Sequence, residues 1–493
     1  MKLDNKLSMK YIKIAICLPH IILSVCLSEA YCADKSDQKT YIEIPIKTIV
    51  SQPKKVVKEE TQIKKISKLK EIHKLDDTVQ SSQSLEIIDY IKKALIYSPD
   101  IKERVANREE SYNLLKQSYM STLPVVTASI GVGSQYSNPA TSKVSSRYGV
   151  EKLSVNLHQN IFGEGKITDI KMNKSIIKSS DKEVDQIKNL ISLFTVEAYL
   201  NAIRYKTTLA IQEESIAVHE LVARQAKSRL DAGLSRSSDW SLSQGRLTSA
   251  KANLSSTKSR LQRSYAILFR HTGFNIKGNL TDIRVDFSNI IPSSFDEAWA
   301  IAIEKNPILK AKFHEITTAK HAKTKDLLSL YPSLSIDASA TKNYDSDGIQ
   351  GIDEDLSAML NMKYTFNFGS RIYKYKSSAS RVQLKKYEYK KLQSDTYQNL
   401  SSLYSDYENL STEILFIEAS RGYLNKVVVN HEKEFLAGFR GLFDLLNTKS
   451  EYFNSQIQYI NAMYDKKIIA FNILANTGLL LNYFEDIDAK SFN

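Results

Sequence analysis

Cysteine, proline, glycine and tryptophan are all scarce in this chain of 493 residues, which has 3 Cys, 9 Pro, 16 Gly and 2 Trp. The cysteines are Cys17, Cys26 and Cys32, so no disulfide framework can hold the rest of the chain together. The shortage of proline and glycine leaves few helix-breaking positions and favours long helices. Glycine-rich phosphate loops, nucleophile–base pairs and clustered metal ligands are also missing from the sequence. We therefore predict neither an enzyme nor a cofactor site.

The chain is basic, with a formal net charge of +13, but its sequence shows no recognition helix or stacking platform for nucleic acid. Residues 1–30 are typical of a secretory signal peptide, because lysines precede an apolar run too short to span a bilayer comfortably. A short N-terminal membrane anchor is the alternative. Residues 31–84 are rich in Lys, Ser and Gln without a sustained period, which indicates a flexible extension.

The clearest helical signal lies near the C-terminus, after a glycine corner at Gly438. Asp444 opens a pattern in which apolar residues recur at alternating steps of four and three, from Leu446 to Leu474, which is a heptad seam. Gly478 ends the pattern, because glycine tolerates the left-handed conformation just past a helix end. The spacing predicts one arm of a coiled-coil hairpin, roughly 45 Å long at 1.5 Å per residue.

A second copy of this pattern lies upstream, and five landmarks repeat in the same order at nearly one offset. Gly233 precedes Asp239 as Gly438 precedes Asp444. The other repeated positions are Pro99 with Pro307, Pro124 with Pro332, Gly163 with Gly369, and Gly273 with Gly478. Such ordered repetition predicts an internal duplication. The chain then divides into a first repeat, a second repeat and a C-terminal tail, at residues 85–292, 293–481 and 482–493.

Each repeat also contains two stretches in which apolar and polar residues alternate, at 126–132 and 153–157 and again at 334–340 and 356–366. Strands of about 10 residues suit tilted crossings of an outer membrane. Two hairpins cannot stand alone in lipid, because their edges leave backbone groups unpaired. Three copies would close a barrel of twelve strands. Two hairpins capping a soluble helical protein are the alternative.

The predicted fold class is mainly α with transmembrane β. Helices at 166–231 and 370–436 would each be roughly 100 Å long, and the returning helices are about half that length. Helices before the first strands, at 100–122 and 308–330, would supply the missing half. Stacked around a water-filled bore, these helices would form a hollow α-barrel below the β-barrel. The bore explains why Ser, Thr, Asn and Gln occur where a solid bundle would carry leucine.

The duplicated order of strands, long helix, glycine–aspartate corner and returning helix resembles the TolC family of outer-membrane exit ducts, from Leu85 to Leu481. The resemblance implies a homotrimer in the outer membrane that extends into the periplasm and contacts outer-membrane lipid. It also implies passive conduction from an inner-membrane ABC or RND transporter and its periplasmic adaptor, in tripartite efflux or type I secretion. The alternative is a periplasmic coiled-coil structural or adaptor protein, which would not need four alternating strands.

The same resemblance implies roles for residues at the tapered periplasmic end. Asp239 stands in the place of a carboxylate that pairs with a gate arginine, and Arg440 stands in the place of that arginine. Asp444 matches an acidic ring at the entrance. Asn447 and Phe435 stand where a second acidic ring residue and a gate tyrosine are usual, so weaker cation selectivity and weaker closure are expected. Arg440 is a solvated loop residue in the alternative interpretation.

The two corners themselves are predicted to meet the adaptor. They contain Gly233, in a segment that begins at Arg229, and Gly438. We expect both glycines to adopt conformations hostile to side chains. In the alternative interpretation Asp239 and Asp444 only cap the helices that follow, which is worth about 1 kcal/mol.

Overall fold

A computed structural model describes residues 87–137, 146–275, 280–282, 287, 290–344, 351–437 and 439–491. The predicted signal peptide and Lys-rich extension lie outside these residues, and so does Gly438. Within them the chain is mainly helical and contains one four-stranded sheet, which confirms the predicted fold class.

The elements follow the same order in both repeats. The first repeat consists of α1 (Ile87–Tyr97), α2 (Pro99–Met120), β1 (Val125–Ser137), β2 (Ser146–Phe162), α3 (Lys166–Asp231) and α4 (Ser237–Thr272). The second consists of α5 (Phe295–Lys305), α6 (Pro307–Leu328), β3 (Ser333–Tyr344), β4 (Ile352–Lys363), α7 (Ser370–Leu436) and α8 (Leu442–Thr477). A final helix, α9 (Leu480–Ser491), follows.

The long helices α3 and α7 contain 66 and 67 residues, so each spans roughly 100 Å. We call the half of the helical body next to the sheet the upper half, and the half with the corners the lower half. Upper α3 contacts α2 and α6, whereas lower α3 contacts α4 and α8, as predicted. Among the described residues no helix is both long enough and apolar enough to cross a membrane.

The breaks between the stacked helices lie where the sequence placed proline and glycine. Pro99 and Pro307 begin α2 and α6, which each end two residues before the predicted position. Gly273 and Gly478 follow α4 and α8 with φ of 66° and 77°. A Cβ on Gly478 would lie 2.8 Å from the carbonyl oxygen of Lys305, so the break also requires a residue without a side chain. Helix α8 begins two residues before the predicted start at Asp444.

An apolar core lies at the middle of the helical body, where α1, α5 and α9 contact the longer helices. Tyr199, Leu268 and Phe471 are fully buried there, and the Phe471 ring meets the edge of Phe287 at a centroid distance of 5.0 Å. Helix α9 adds the buried Phe484 to this core. The segment predicted as a C-terminal tail therefore contains a helix that packs against the body.

All four strands form one antiparallel sheet in the order β1-β2-β3-β4, so β2 pairs with β3 and joins the two hairpins. The strands contain 13, 17, 12 and 12 residues. Pairing extends beyond the predicted stretches of β1, β2 and β3, whereas β4 begins four residues before its predicted start and ends at Lys363, three residues before its predicted end. One face is apolar and exposed: Ile130 and Leu356 are 79% and 86% accessible. Its other large exposed members are Val126, Val132, Leu153, Val155, Phe162, Ile336, Leu360 and Met362.

Candidate functional site

Two corners close the lower end of the helical body, one between α3 and α4 and one between α7 and α8. In the first, the Leu234 N–H donates to the Arg229 carbonyl at 2.8 Å, and Gly233 has a φ of 72°. In the second, the Phe439 N–H donates to the Glu434 carbonyl at 2.9 Å. Both corners thus use the same bond across six residues, which satisfies carbonyls left free at a helix end. The expected left-handed conformation of Gly233 is confirmed.

Each corner exposes one large apolar side chain at an equivalent position, immediately after the corner glycine. Leu234 follows Gly233, and Phe439, which is 87% accessible, follows Gly438 in the sequence. The two corners therefore present an exposed apolar side chain at equivalent positions.

Asp239 and Asp444 occupy the third position of α4 and α8, respectively. The N-cap residues are Arg236 and Gly441, so neither aspartate caps its helix, and that alternative is wrong. Both carboxylates instead lie in the first helical turn, where the positive end of the helix dipole favours negative charge.

Arg440 contacts a partner that no sequence pattern predicted. Its Nε donates to Oε2 of Glu434 at 2.6 Å, and this bond lowers the pKa of Glu434. The two residues lie on either side of the corner, so the turn itself brings them together. Within the described part of a single chain no ion pair joins Arg440 to Asp239. The gate pair between those two residues, on neighbouring inner helices of the tapered end, stays a prediction.

Asn447 lines a polar cleft of about 430 Å³ between α3, α4 and α8. Arg246 donates to its Oδ1 at 2.5 Å. His219 lines the same cleft with only 7% of its surface exposed, and its Nδ1 has no hydrogen-bond partner among the described residues. Burial and, secondarily, the charge of Arg246 lower the pKa of His219. No sequence pattern indicated this cleft, because its three walls come from distant parts of the chain.

Phe435, which replaces the expected tyrosine, belongs to a small apolar cluster just above the corners. It packs against Val222, Leu442 and Leu446, which come from α3 and α8. The Phe435 ring therefore links α3, α7 and α8 by apolar contact, whereas a tyrosine at this position would add a hydrogen bond. No group of three or more potential metal ligands occurs among the described residues.

Comparison with known proteins gives matches in sequence and in structure. Residues 90–273 match the family model described as "Outer membrane efflux protein". Three solved structures with the same fold are the Campylobacter jejuni CmeC outer membrane channel, the Vibrio cholerae outer membrane protein VceC and the open state of the Neisseria gonorrhoeae MtrE outer membrane channel. No curated protein matches the chain by sequence.

These three structures share only 14% sequence identity with the chain. CmeC aligns with 88% of this chain and 94% of its own, with a TM-score of 0.67. VceC aligns with 80% of this chain and 96% of its own, with a TM-score of 0.66. MtrE aligns with 82% of this chain and 94% of its own, with a TM-score of 0.63. The likeness therefore covers the duplicated body nearly end to end, from the strands to the corners.

Proposed function

We propose, from the match of residues 90–273 to the outer membrane efflux protein family model, that the chain is a member of this family and that three copies form one exit duct through the outer membrane. The family is one of passive transport channels, which agrees with the expectation that the chain is not an enzyme and disfavours a periplasmic structural or adaptor protein. The duct is an outer-membrane channel that extends into the periplasm and works with an adaptor and an inner-membrane transporter.

The sheet is the observation that carries this proposal. Its apolar face lies in the open, and the outer edges of β1 and β4 have no partner strand among the described residues. Open edges are not tolerated in lipid, so closure requires the corresponding edges of other copies. Three sheets of four strands give a barrel in the size range of known outer-membrane barrels.

The periplasmic end supplies the partner surface in the proposal. Leu234 and Phe439 at the corner tips meet the adaptor, and the adaptor connects the duct to an ABC or RND transporter in the inner membrane. Exchanging either side chain for Ser would then weaken recovery of the adaptor with the duct after chemical cross-linking. Equal recovery with a Leu234→Ser and Phe439→Ser double variant would exclude the tips as the contact.

The entrance is gated, in this proposal, by the charged residues of the corners. Glu434 orients the Arg440 guanidinium, and Asp239 of a neighbouring element accepts from it when the duct is closed. An exposed ion pair is worth about 1 kcal/mol or less, and threefold repetition multiplies its effect on the closed state. Asp444 forms an acidic ring at the narrowest point.

Trimer mass and single-channel recording test the proposal in two steps. Protein extracted in mild detergent should have the mass of three chains, and a monodisperse monomer would overturn the duct itself. In planar bilayers Arg440→Ser and Asp239→Ala should each raise conductance, and the double variant should add little to either. Lys433→Ser, which removes an exposed cation near the same corner, should leave conductance unchanged. Additive effects of the two gate substitutions would dismiss the pair but not the duct.

A further inference from the structure

Exposed aromatic side chains surround the lower rim of the sheet, where the strands meet the helices. Phe162 pairs with Leu334, and Leu334 with Met362, which places Phe162 on the apolar face. Tyr364 and Phe366 continue the alternation of that face beyond β4, and both are exposed. Aromatic rings at this position mark the boundary between hydrocarbon and headgroups in barrel proteins.

Lysines follow directly below this aromatic rim. On α3 an exposed stripe begins with Ile167 and continues with Lys171, Lys174 and Lys178 at steps of three and four residues. Lys320 of α6 and Lys376 of α7 are exposed at corresponding distances from their strands. We call these five lysines the basic collar: Lys171, Lys174, Lys178, Lys320 and Lys376.

The collar is not neutralised from within the described chain. Other cations in the region have carboxylate partners, such as Lys325 with Asp169 at 2.7 Å. None of the collar lysines forms an ion pair with a described acidic residue. Two of them rest on tyrosine rings instead: Lys174 lies 5.6 Å from the Tyr119 ring centroid, and Lys376 lies 5.2 Å from that of Tyr373.

Helix α7 shows that positive charge is concentrated in the upper half of the body and is not spread along its whole length. Between positions 370 and 395 it carries eight Lys or Arg against two acidic residues. Between positions 396 and 436 it carries three against six. The same helix therefore changes from basic to acidic along its length, with the basic end next to the sheet.

We propose that the basic collar binds the phosphate groups of anionic phospholipids in the periplasmic leaflet of the outer membrane. This inference rests on the proposed function, because it requires the sheet to lie in the bilayer. Lysines next to a membrane surface attract anionic headgroups, with an effect of roughly fivefold in affinity for each lysine. Headgroups occupy roughly 5–8 Å on each side of the hydrocarbon.

With Ile167 at the hydrocarbon edge, Lys171 falls within that layer and Lys174 lies just below it. At 1.5 Å per residue, Lys171 and Lys174 lie roughly 6 Å and 10 Å below Ile167 along α3. A lysine side chain extends several ångströms and keeps its ammonium in the polar layer while its methylene stem covers apolar surface. Lys178, roughly 16 Å below Ile167, lies below the headgroup layer, so the lipid contacts come from the lysines above it.

The test compares a collar variant with a matched control in vesicles of defined composition. The collar variant carries Lys171→Gln, Lys174→Gln and Lys320→Gln. The control carries Lys258→Gln, Lys426→Gln and Lys433→Gln, which removes the same charge from exposed positions of the lower half. Reconstituted trimers are probed with spin-labelled phosphatidylglycerol and phosphatidylcholine, and the ratio of their association constants is measured at low and high salt.

For the unchanged protein and the control, phosphatidylglycerol should associate severalfold more tightly, and the ratio should fall towards one at high salt. The collar variant should show a ratio near one at low salt. Equal ratios in the collar variant and the control, or no preference in the unchanged protein, would overturn the inference. A collar variant with unchanged lipid preference but altered anion permeability would place these lysines in the bore. Failure of the unchanged protein to insert as a trimer into phosphatidylcholine vesicles would instead overturn the proposed function.

Discussion

Three glycines with left-handed backbones offer a graded test of how the helix ends are held. Gly233, Gly273 and Gly478 have φ of 72°, 66° and 77°, so alanine meets the same conformational penalty at each. Their surroundings differ. A Cβ on Gly233 meets nothing within 4 Å, whereas one on Gly478 meets the backbone of Lys305. Substituting alanine at each position separates the cost of the conformation from the cost of the clash.

The magnitudes follow from these surroundings. The left-handed conformation costs a residue with a side chain roughly 1–2 kcal/mol, which is the whole effect expected for Gly233→Ala. Gly478→Ala adds overpacking against an immobile carbonyl at 2.8 Å, which contributes a further 1–3 kcal/mol or so. Gly273→Ala should fall between them, because its Cβ would lie 2.5 Å from the ring of Tyr97, a half-exposed side chain that can move.

Gly245 provides the control for these three substitutions. It lies in the interior of α4 without a positive φ, and a Cβ there meets nothing within 4 Å. Gly245→Ala should therefore stabilise the protein by roughly 0.5–1 kcal/mol. The free energy of unfolding is measured from loss of helical circular dichroism in guanidinium chloride. Equal losses for Gly233→Ala and Gly478→Ala, or a loss for Gly245→Ala, would refute the reasoning.

Three further predictions concern the cleft and the core. Because the pKa of His219 lies below its ordinary 6.5, the unfolded chain takes up this proton first, and stability falls as pH drops through 6.5. His219→Gln should lose less stability than the unchanged protein between pH 7 and pH 5 in the same denaturation assay, and an identical loss would contradict this assignment. Tyr404→Phe removes a buried hydroxyl that donates to the Pro292 carbonyl at 2.8 Å, and should lower the unfolding free energy by about 1–2 kcal/mol; no change would contradict the bond. Asn447→Asp should raise the ratio of K⁺ to Cl⁻ permeability in planar bilayers. The increase should be smaller than for an unpaired carboxylate, because Arg246 faces this position. An unchanged ratio would place Asn447 away from the conduction path.

The long helices could be predicted to the residue because strong local signals bound them. Helices α3 and α7 begin immediately after Gly165 and Gly369, whose φ angles of 72° and 88° suit few other residues, and both end at the corners. The alternation that predicted the strands is equally local. Seams along a helix are also local, and Lys467, a polar residue within the seam of α8, forms an ion pair with Asp282 at 2.9 Å.

The parts that escaped prediction depend on contacts between distant residues. The family resemblance did not predict the hydrogen bond between Arg440 and Glu434, because that bond depends on how tightly the corner turns. The cleft around His219 forms where three helices converge, and no periodic pattern in the sequence predicts which helices pack together there. Phe484 looked like part of a tail because α9 is only 12 residues long and gains its order from the core it covers.

The pairing of β2 with β3 has a consequence for how the chain reaches its native state. His158 and Asp337, which bond across this pair at 2.5 Å, are separated by 179 positions, and α3, α4, α5 and α6 all lie between them. Bringing such distant strands together requires closure of a very long loop before the contact returns any free energy. We therefore expect the helical hairpin of the first repeat to form early and shorten the effective distance. Before β2 and β3 pair, the edge strands of each β-hairpin lack partners, and a partly folded chain with such edges is prone to aggregate.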